Sequence, residues 1–144
     1  MVCIIIFGIC KKKQINFIVE KTMIIIDFFN FIYRRYDDVN SNTILATLNY
    51  LSTYHEMHHK RIKVILDGVV FKSLLPGSSY KNIDICFALP NADLYIIKLL
   101  STHSSKSFEV VTDDRELKNS IKRYAKNIYS TKDFWHTISK NNKI

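Results

Sequence analysis

The sequence predicts an α/β fold with three layers, in which a mostly parallel central sheet is flanked by helices on both faces. Short runs rich in β-branched and aromatic residues alternate along the chain with longer segments whose apolar residues recur at helical spacing. Strands that are separated by helices favour right-handed crossovers, which place neighbouring strands in parallel. The length of 144 residues is within the range of one ordinary domain.

Each strand is predicted from a short apolar run that ends at a turn or at an acidic residue. The five runs are MIII (23–26), RIKVIL (61–66), IDICFA (83–88), FEVV (108–111) and NIYS (127–130). Helical spacing and capping signals predict four helices between and after these runs. The helices cover about 43–59, from Asn91 to about Leu100, 114–124 and about 132–138. The segment after the first run is rich in Asp, Asn and Ser and is predicted to be a turn region.

Residues 1–22 are predicted to be an N-terminal extension, and residues 23–144 to be the folded domain. Met23 stands directly before the first clear strand, which is consistent with a misplaced start. The apolar run VCIIIFGIC is too short to span a bilayer, and its lysines follow it, unlike in a secretory signal. The three cysteines include no CxxC pair, which argues against a disulfide framework and favours a reducing cytoplasm.

Acidic residues follow three of the predicted strands. Asp27 comes after the first strand, Asp67 after the second, and Asp114 closely follows FEVV, while Asp93 lies where a helix begins. Because parallel strands place their carboxyl ends at one edge of the sheet, we expect these acids to share a site. A single Asp at such a junction is more often a helix N-cap, whereas three junctions together favour a cation site. Oxygen ligands without nearby Cys or His suit Mg²⁺ or Mn²⁺.

Four motifs in order resemble the NYN domain, a branch of the PIN-like nucleases. IIIDFFNFI resembles the DxxN opening of that domain, and KVILDG its second acidic strand. LPNADLYI resembles its helical Asp, and FEVVTDDREL its VTSDR-type motif. The order and spacing over residues 23–138 are most similar to the bacterial YacP-like NYN proteins. Phe28 stands where this family has a small residue, and Asp113 stands where it has Ser.

The resemblance implies a PIN-like, Rossmann-like fold and a metal-dependent endoribonuclease that uses Mg²⁺ or Mn²⁺. The catalytic acids that it implies are Asp27, Asp67, Asp93 and Asp114. Of these, Asp27, Asp67 and Asp114 are expected to hold the ion or its water shell, and Asn30 is expected to support Asp27. The expected substrate is mRNA or rRNA in the cytoplasm, with a link to translation and to the ribosome.

Basic residues are expected to contact the RNA backbone. Lys and Arg together number 21 against 13 Asp and Glu, which gives a net charge of +8 and favours a polyanionic partner. Arg115 is the leading candidate, because it opens a predicted helix beside the acids, and Lys118 and Lys122 continue its face. The expected RNA-binding residues are Arg115, Lys118, Lys122, Arg34 and Lys72. The aromatic candidates for base stacking are Tyr33, Tyr36 and Phe71.

The segment HEMHH (55–59) satisfies HExxH, the zinc metalloprotease signature, and is the main competing motif. His55 and His59 would share one face of a helix. The helix is predicted to end there at once, and no convincing third ligand follows along the chain. Histidines near a helix C-terminus, where a positive charge is favourable, explain the motif better.

Two other functions remain open on the sequence alone. The first is a non-catalytic module that binds RNA or the ribosome and keeps the PIN-like fold, with no need of a divalent ion. The second is a metal-dependent phosphatase or a nuclease that acts on DNA flaps, since similar acids on similar sheets serve both. No glycine-rich phosphate loop follows any predicted strand, which argues against enzymes that depend on a nucleotide.

Overall fold

The computed structural model describes residues 22–67, 78–103 and 107–141, and this part of the chain contains six strands and five helices. The strands are β1 (Met23–Asp27), β2 (Arg61–Asp67), β3 (Ser79–Tyr80), β4 (Ile83–Ala88), β5 (Phe108–Val111) and β6 (Asn127–Tyr129). The helices are α1 (Phe28–Ile32), α2 (Ser41–His58), α3 (Ala92–Ser101), α4 (Arg115–Ile121) and α5 (Thr131–Asn141).

The strands form one sheet in the order β3-β4-β2-β1-β5-β6. Every neighbouring pair is parallel except β3 and β4, which are antiparallel. The chain runs from β1 outward to β2 and β4, and then crosses to β5 on the other side of β1. The strand order therefore reverses beside β1, and the crevice at the carboxyl ends of β1 and β5 is where such sheets bind ligands. The prediction of an α/β fold with a mostly parallel sheet is confirmed.

Alternate residues of the strands pack against two layers of helices. Ile24 and Ile26 of β1 belong to the core under α1, α2 and α5, whereas Ile25 belongs to the core under α3 and α4. Trp135 of α5 stacks on Phe31 of α1, with the ring centroids 4.3 Å apart. The Trp135 Nε1–H also donates to the Phe31 carbonyl at 2.7 Å. These contacts fix α1, and with it the end of β1, against α5.

Three predicted boundaries differ from the structure. The segment after β1 forms α1 instead of a turn, because its apolar side chains are buried in the core. Helix α2 begins at Ser41, since the Asn40 side chain accepts hydrogen bonds from two backbone amides of the first turn. Helix α4 ends at Ile121, where the chain turns so that the Lys126 amide donates to the Phe108 carbonyl. The short edge strand β3 is an element that the sequence did not predict.

Candidate active site

Strands β1 and β2 deliver Asp27 and Asp67 to the same side of the sheet. Asp27 lies two residues after Ile25, and Asp67 lies two residues after Ile65; both isoleucines pack in the core under α3 and α4. Because side chains alternate along a strand, both acids point toward those two helices at the carboxyl edge of the sheet. Asp27 is only 8% exposed, while Asp67 is exposed.

The N-termini of α3 and α4 supply Asp93 and Asp114. Asp67 Oδ1 accepts a hydrogen bond from the amide of Ala92, the first residue of α3, so that β2 holds this helix end in place. Asp114 is the N-cap of α4, and its Oδ1 accepts from the Leu117 amide at 3.0 Å. The Asp93 carboxyl group lies so near that of Asp114 that a hydrogen bond between them would favour the protonated form of Asp93. Asp114 is thus both a cap and a neighbour of the other acids.

Asp27, Asp67, Asp93 and Asp114, here called the acid cluster, are electrostatically coupled. The pKa of Asp27 is raised to about 7, first by burial and then by the nearby charges of Asp93, Asp67 and Asp114, and a hydrogen bond from Thr112 offsets part of this rise. Burial and the neighbouring Asp114 also raise the pKa of Asp93. Among the described residues, the ion pairs are Lys60 with Glu109 and Arg61 with Asp84, neither of which involves the cluster. The structure therefore brings the four predicted acids together, and no Lys, Arg or His among the described residues pairs with them.

Thr112 is a residue of this site that the sequence reasoning missed. Its buried Oγ1 donates to Asp27 Oδ2 at 3.1 Å and accepts from the Asp114 amide at 3.1 Å. One hydroxyl group thus orients the Asp27 carboxylate and fixes the turn that leads into α4. The only sequence signal was its place between FEVV and the two acids, which many structural threonines share.

Asn30, which was expected to support Asp27, hydrogen-bonds to the loop that follows β5. Its Oδ1 accepts from the Asp113 amide at 2.7 Å, and Thr112 donates to Asp27 in its place. Asn30 therefore holds the loop between β5 and α4, and Thr112 of this loop donates to Asp27. The Asp113 carboxylate accepts from the amide and the hydroxyl group of Thr131 at the start of α5, which ties the same loop to a third element.

The acid cluster offers only oxygen ligands, and its uncompensated negative charge fits a hard divalent cation such as Mg²⁺ or Mn²⁺. Two of its carboxylates direct one oxygen to the N-terminus of a helix. In the part of the chain that the structure describes, no three His, Cys, Asp or Glu side chains form a group that could hold a metal ion. The charge and the donor chemistry thus fit the cation, whereas the side chains do not enclose a ready-made site.

The predicted RNA-binding residues lie on two sides of the cluster. Arg115 is the first residue of α4 and is exposed; Lys118 is half-buried, and Lys122 is exposed at the end of the helix. Arg34 is exposed just after α1. None of the four takes part in the ion pairs of the described residues. Two further predicted contacts lie outside the described residues, namely Lys72 and Phe71.

The HExxH segment forms no zinc site with other residues of the described part of the chain. His59 is the C-cap of α2 in the left-handed conformation, with φ of 55°, so it leaves the helical face that His55 occupies. The His55 Nδ1 atom lies 2.7 Å from the Lys60 carbonyl oxygen, and the His58 ring packs on Tyr54 with centroids 4.3 Å apart. These contacts explain the histidines as parts of the end of α2.

Comparison with known proteins places the chain in a family. Residues 24–144 match the sequence model of the YacP-like NYN domain. No curated protein sequence matches the chain. None of the helices in the described part is long and apolar enough to cross a membrane.

Two solved structures of Rae1 (YacP) from Bacillus subtilis have the same fold. One is a tryptophan-to-leucine variant, at 15% identity and a TM-score of 0.68, with 85% of this chain and 77% of that chain covered. The other carries no stated substitution, at 16% identity and a TM-score of 0.69, with 84% and 75% covered. At such low identity the likeness shows a shared fold. Together with the family match, it means that the chain belongs to the YacP-like NYN domain family, whose fold is of the RNase type.

Proposed function

We propose that this protein is an endoribonuclease that depends on Mg²⁺ or Mn²⁺ and cleaves phosphodiester bonds of RNA. The observation that carries the proposal is the acid cluster, in which burial and three neighbouring acids raise the pKa of Asp27 to about 7. Neighbouring acids repel one another and cost stability when no cation is bound. Such a cluster of acids is therefore typical of a functional site. The family and its RNase-type fold suggest nuclease activity, in agreement with this chemistry.

The side chains have separate roles in this proposal. Asp27, Asp67 and Asp114 would hold the cation or its water shell, and Asp93 is the fourth acid, held beside Asp114. The chemistry that the cation supplies when bound is activation of water and neutralisation of charge on a phosphodiester. Thr112 orients Asp27, because its hydroxyl group fixes one carboxylate oxygen at 3.1 Å.

Positive side chains beside the cluster are suited to guide an RNA strand toward it. Arg115 directly follows Asp114 and is exposed. It makes no ion pair with a described residue, so its guanidinium group can contact a phosphate. Lys118 and Lys122 extend this positive face along α4, and Arg34 lies on the opposite side near α1. A net charge of +8 favours association with a polyanion. Following the family resemblance, we propose that the substrate is mRNA or rRNA in the cytoplasm and that the protein acts on it at the ribosome.

The test is cleavage of RNA by the purified full chain with Mn²⁺ or with EDTA, followed by mapping of the new ends. The key variant is Asp114→Asn, which can still cap α4 through its side-chain oxygen but removes one negative charge. Its matched control is Asp84→Asn, an acid near the amino end of β4 that pairs with Arg61. We expect cleavage that needs Mn²⁺, is lost in Asp114→Asn and persists in Asp84→Asn. Wild-type rates in a folded Asp114→Asn variant would contradict the proposal.

A non-catalytic RNA- or ribosome-binding module is the second candidate, and one observation favours it. The described side chains do not form a group of three that could hold a metal ion without rearrangement. Such a module would bind RNA equally well with EDTA and would leave its ends unchanged. Equal binding by wild type and Asp114→Asn, without cleavage by either protein, would favour this candidate.

A further inference from the structure

A surface pocket of about 380 Å³ lies beside the acid cluster. Its lining residues are Phe29, Asn30, Tyr33, Arg34 and Asp113. The volume is within the range of small-ligand sites, about 300–1,000 Å³. One wall continues into the cluster, because the chain passes directly from Asp113 to Asp114, and Asn30 follows Asp27 by three residues.

The polar wall of this pocket is held in place by tertiary hydrogen bonds. Asn30 Oδ1 accepts from the Asp113 amide at 2.7 Å. The Asp113 Oδ1 atom accepts from the Thr131 amide at 2.9 Å, and its other oxygen accepts from the Thr131 hydroxyl group. The contacts join α1, the loop before α4 and the start of α5, so the wall is preorganised for a ligand. The Asn30 side-chain amide group keeps N–H donors beside this wall.

The aromatic wall presents a large ring to solvent. Tyr33 is 52% exposed, although it follows a helix whose other aromatic residues are partly or fully buried. Its ring lies 6.2 Å from that of Phe29 at an interplanar angle of 38°, and about half of the residue's surface is accessible to a ligand. Tyr36, the other candidate for stacking in this region, instead packs edge-on against Trp135 at 6.3 Å. The pocket therefore selects Tyr33 as the side chain that can stack on a planar ligand.

Of two adjacent arginines, one packs against the protein and the other lines the pocket. The Arg35 guanidinium group donates to Ser139 Oγ at 3.0 Å and lies 4.9 Å from the centre of the Trp135 ring, so it is used in packing. Arg34 lines the pocket, is exposed and makes no ion pair with a described residue. A planar stacking surface beside a free guanidinium group suits a nucleotide, whose base stacks and whose phosphate is negative.

We propose that this pocket binds one unpaired base of the RNA, stacked on Tyr33, with the adjoining phosphate on Arg34. This inference rests on the proposed function for its substrate class, since the base would belong to a nucleotide next to the phosphate at the acid cluster. The distance between the two sites along the chain is short, and the loop 112–114 forms part of both. The pocket thereby sets which nucleotide of a single strand lies at the acids.

The test measures RNA binding by the full chain in EDTA, so that no cleavage is needed. The probes are single-stranded octaribonucleotides of mixed sequence and copies that carry one abasic ribose at each successive position. Tyr33→Ala should bind intact RNA about 5- to 100-fold more weakly, whereas Tyr33→Phe, which keeps the ring, should bind within about twofold of wild type. An abasic ribose at one position should lower the RNA affinity of wild type by a similar factor. The same abasic ribose should not lower the RNA affinity of Tyr33→Ala any further.

A second pair of variants tests the phosphate contact. Plots of log affinity against log salt concentration have a negative slope, and Arg34→Gln should reduce the magnitude of that slope by about 1. The matched control is Arg123→Gln, because the Arg123 guanidinium group lies over the Tyr124 ring. This control should leave the slope unchanged. The base subsite would be overturned if Tyr33→Ala bound every abasic RNA more weakly than wild type by the same factor. It would also be overturned if wild type showed no measurable RNA binding. Cleavage of the same RNAs with Mn²⁺ is measured separately. If the effect of Tyr33→Ala depends on one abasic position but no RNA is cleaved, the base subsite is supported and the nuclease proposal is overturned. If RNA is cleaved but the effect of Tyr33→Ala is the same at every abasic position, the nuclease proposal is supported and the base subsite is overturned.

Discussion

Two buried carboxylates of the same sheet have opposite surroundings. Glu109 Oε1 near the amino end of β5 lies 3.3 Å from Lys60 Nζ. Its Oε2 accepts from Asn127 Nδ2 and from the Tyr129 hydroxyl group, both at 3.1 Å. Burial by itself raises the pKa of Glu109, but the hydrogen bonds and the lysine outweigh it and lower the pKa. At the carboxyl edge, Asp27 lies among acids, and its pKa is raised to about 7.

The difference separates a carboxylate that stabilises the fold from one that the fold tolerates. A buried charge that has a cation and two donors costs little when it is ionised. A buried charge whose described neighbours are acids costs stability at neutral pH and is typical of functional sites. The comparison therefore predicts opposite results when each acid is neutralised, in activity and in stability.

The largest difference is expected in RNA cleavage. Asp27→Asn should lower the cleavage rate with Mn²⁺ by at least about 100-fold, because it removes a proposed ligand of the cation together with its charge. Glu109→Gln should leave the rate per folded molecule within about twofold of wild type, since Glu109 lies at the other end of the sheet. Single-turnover cleavage of one labelled RNA measures both rates. Equal losses in the two variants would remove the distinction between the two acids.

The next difference concerns stability and pH without divalent cations. The pKa of Asp27 is about 7 in the folded protein against an ordinary value of 3.8, so the folded chain binds this proton more tightly than the unfolded chain. Its contribution is therefore most favourable below about pH 3.8 and is lost as the pH rises to about 7, a change of about 4 kcal/mol.

Asp27→Asn removes this titration and should therefore gain stability over wild type as the pH rises. The advantage in the free energy of unfolding should grow by about 2–3 kcal/mol between pH 5 and pH 8, as urea titrations in EDTA would measure. The control is Asp37→Asn, at an exposed position outside the acid cluster, measured at the same two pH values. An advantage of Asp27→Asn that stays constant with pH would contradict the raised pKa.

A smaller effect is expected at the compensated acid. Lys60→Met should lower the free energy of unfolding by about 1–3 kcal/mol, because it leaves Glu109 buried with fewer partners. The neighbouring Arg61 is a matched control, since it pairs with Asp84 at 3.4 Å but at an exposed position. Arg61→Met should therefore cost at most about 0.5 kcal/mol. Urea unfolding at pH 7 compares the two, and equal costs would show that Glu109 does not depend on its lysine.

The smallest effect is expected at the histidines of α2. Replacement of His55 and His59 together by Gln should leave cleavage within about twofold of wild type, because neither side chain is near the acid cluster in sequence or in the sheet. Loss of cleavage by a folded double variant would return the zinc interpretation to consideration. Circular dichroism and the melting temperature serve as the check on folding.

The sequence was sufficient for most of the fold and for the acids, for clear physical reasons. Buried parallel strands need apolar runs, so β1, β2, β4 and β5 were recognisable within one residue. Asp27 and Asp67 end such runs, and the alternation of side chains along a strand places both on one face. Helix α1 was missed because five residues are too few to show a helical period.

The supporting contacts of the site could not be predicted, because they join distant parts of the chain. The hydrogen bond from Thr112 to Asp27 spans 85 residues, and that from Asp113 to Asn30 spans 83. Neither leaves a local pattern, because a Thr after a strand and an Asn in a short helix both have many structural uses. The family resemblance pointed to Asn30, but only the packing of α1 against the loop showed which group it holds.

The central claim, that the acid cluster binds a divalent cation, is tested most directly by calorimetric titration of the full chain with Mn²⁺ at pH 7 in buffers of different ionisation enthalpy. Because the pKa of Asp27 is raised to about 7, a fraction of the molecules carries its proton at pH 7 before the cation arrives. We predict saturable binding that releases protons, and the loss of binding together with a smaller proton release in Asp27→Asn. Absence of binding in wild type, or binding by Asp27→Asn with the same affinity and the same proton release, would contradict the claim.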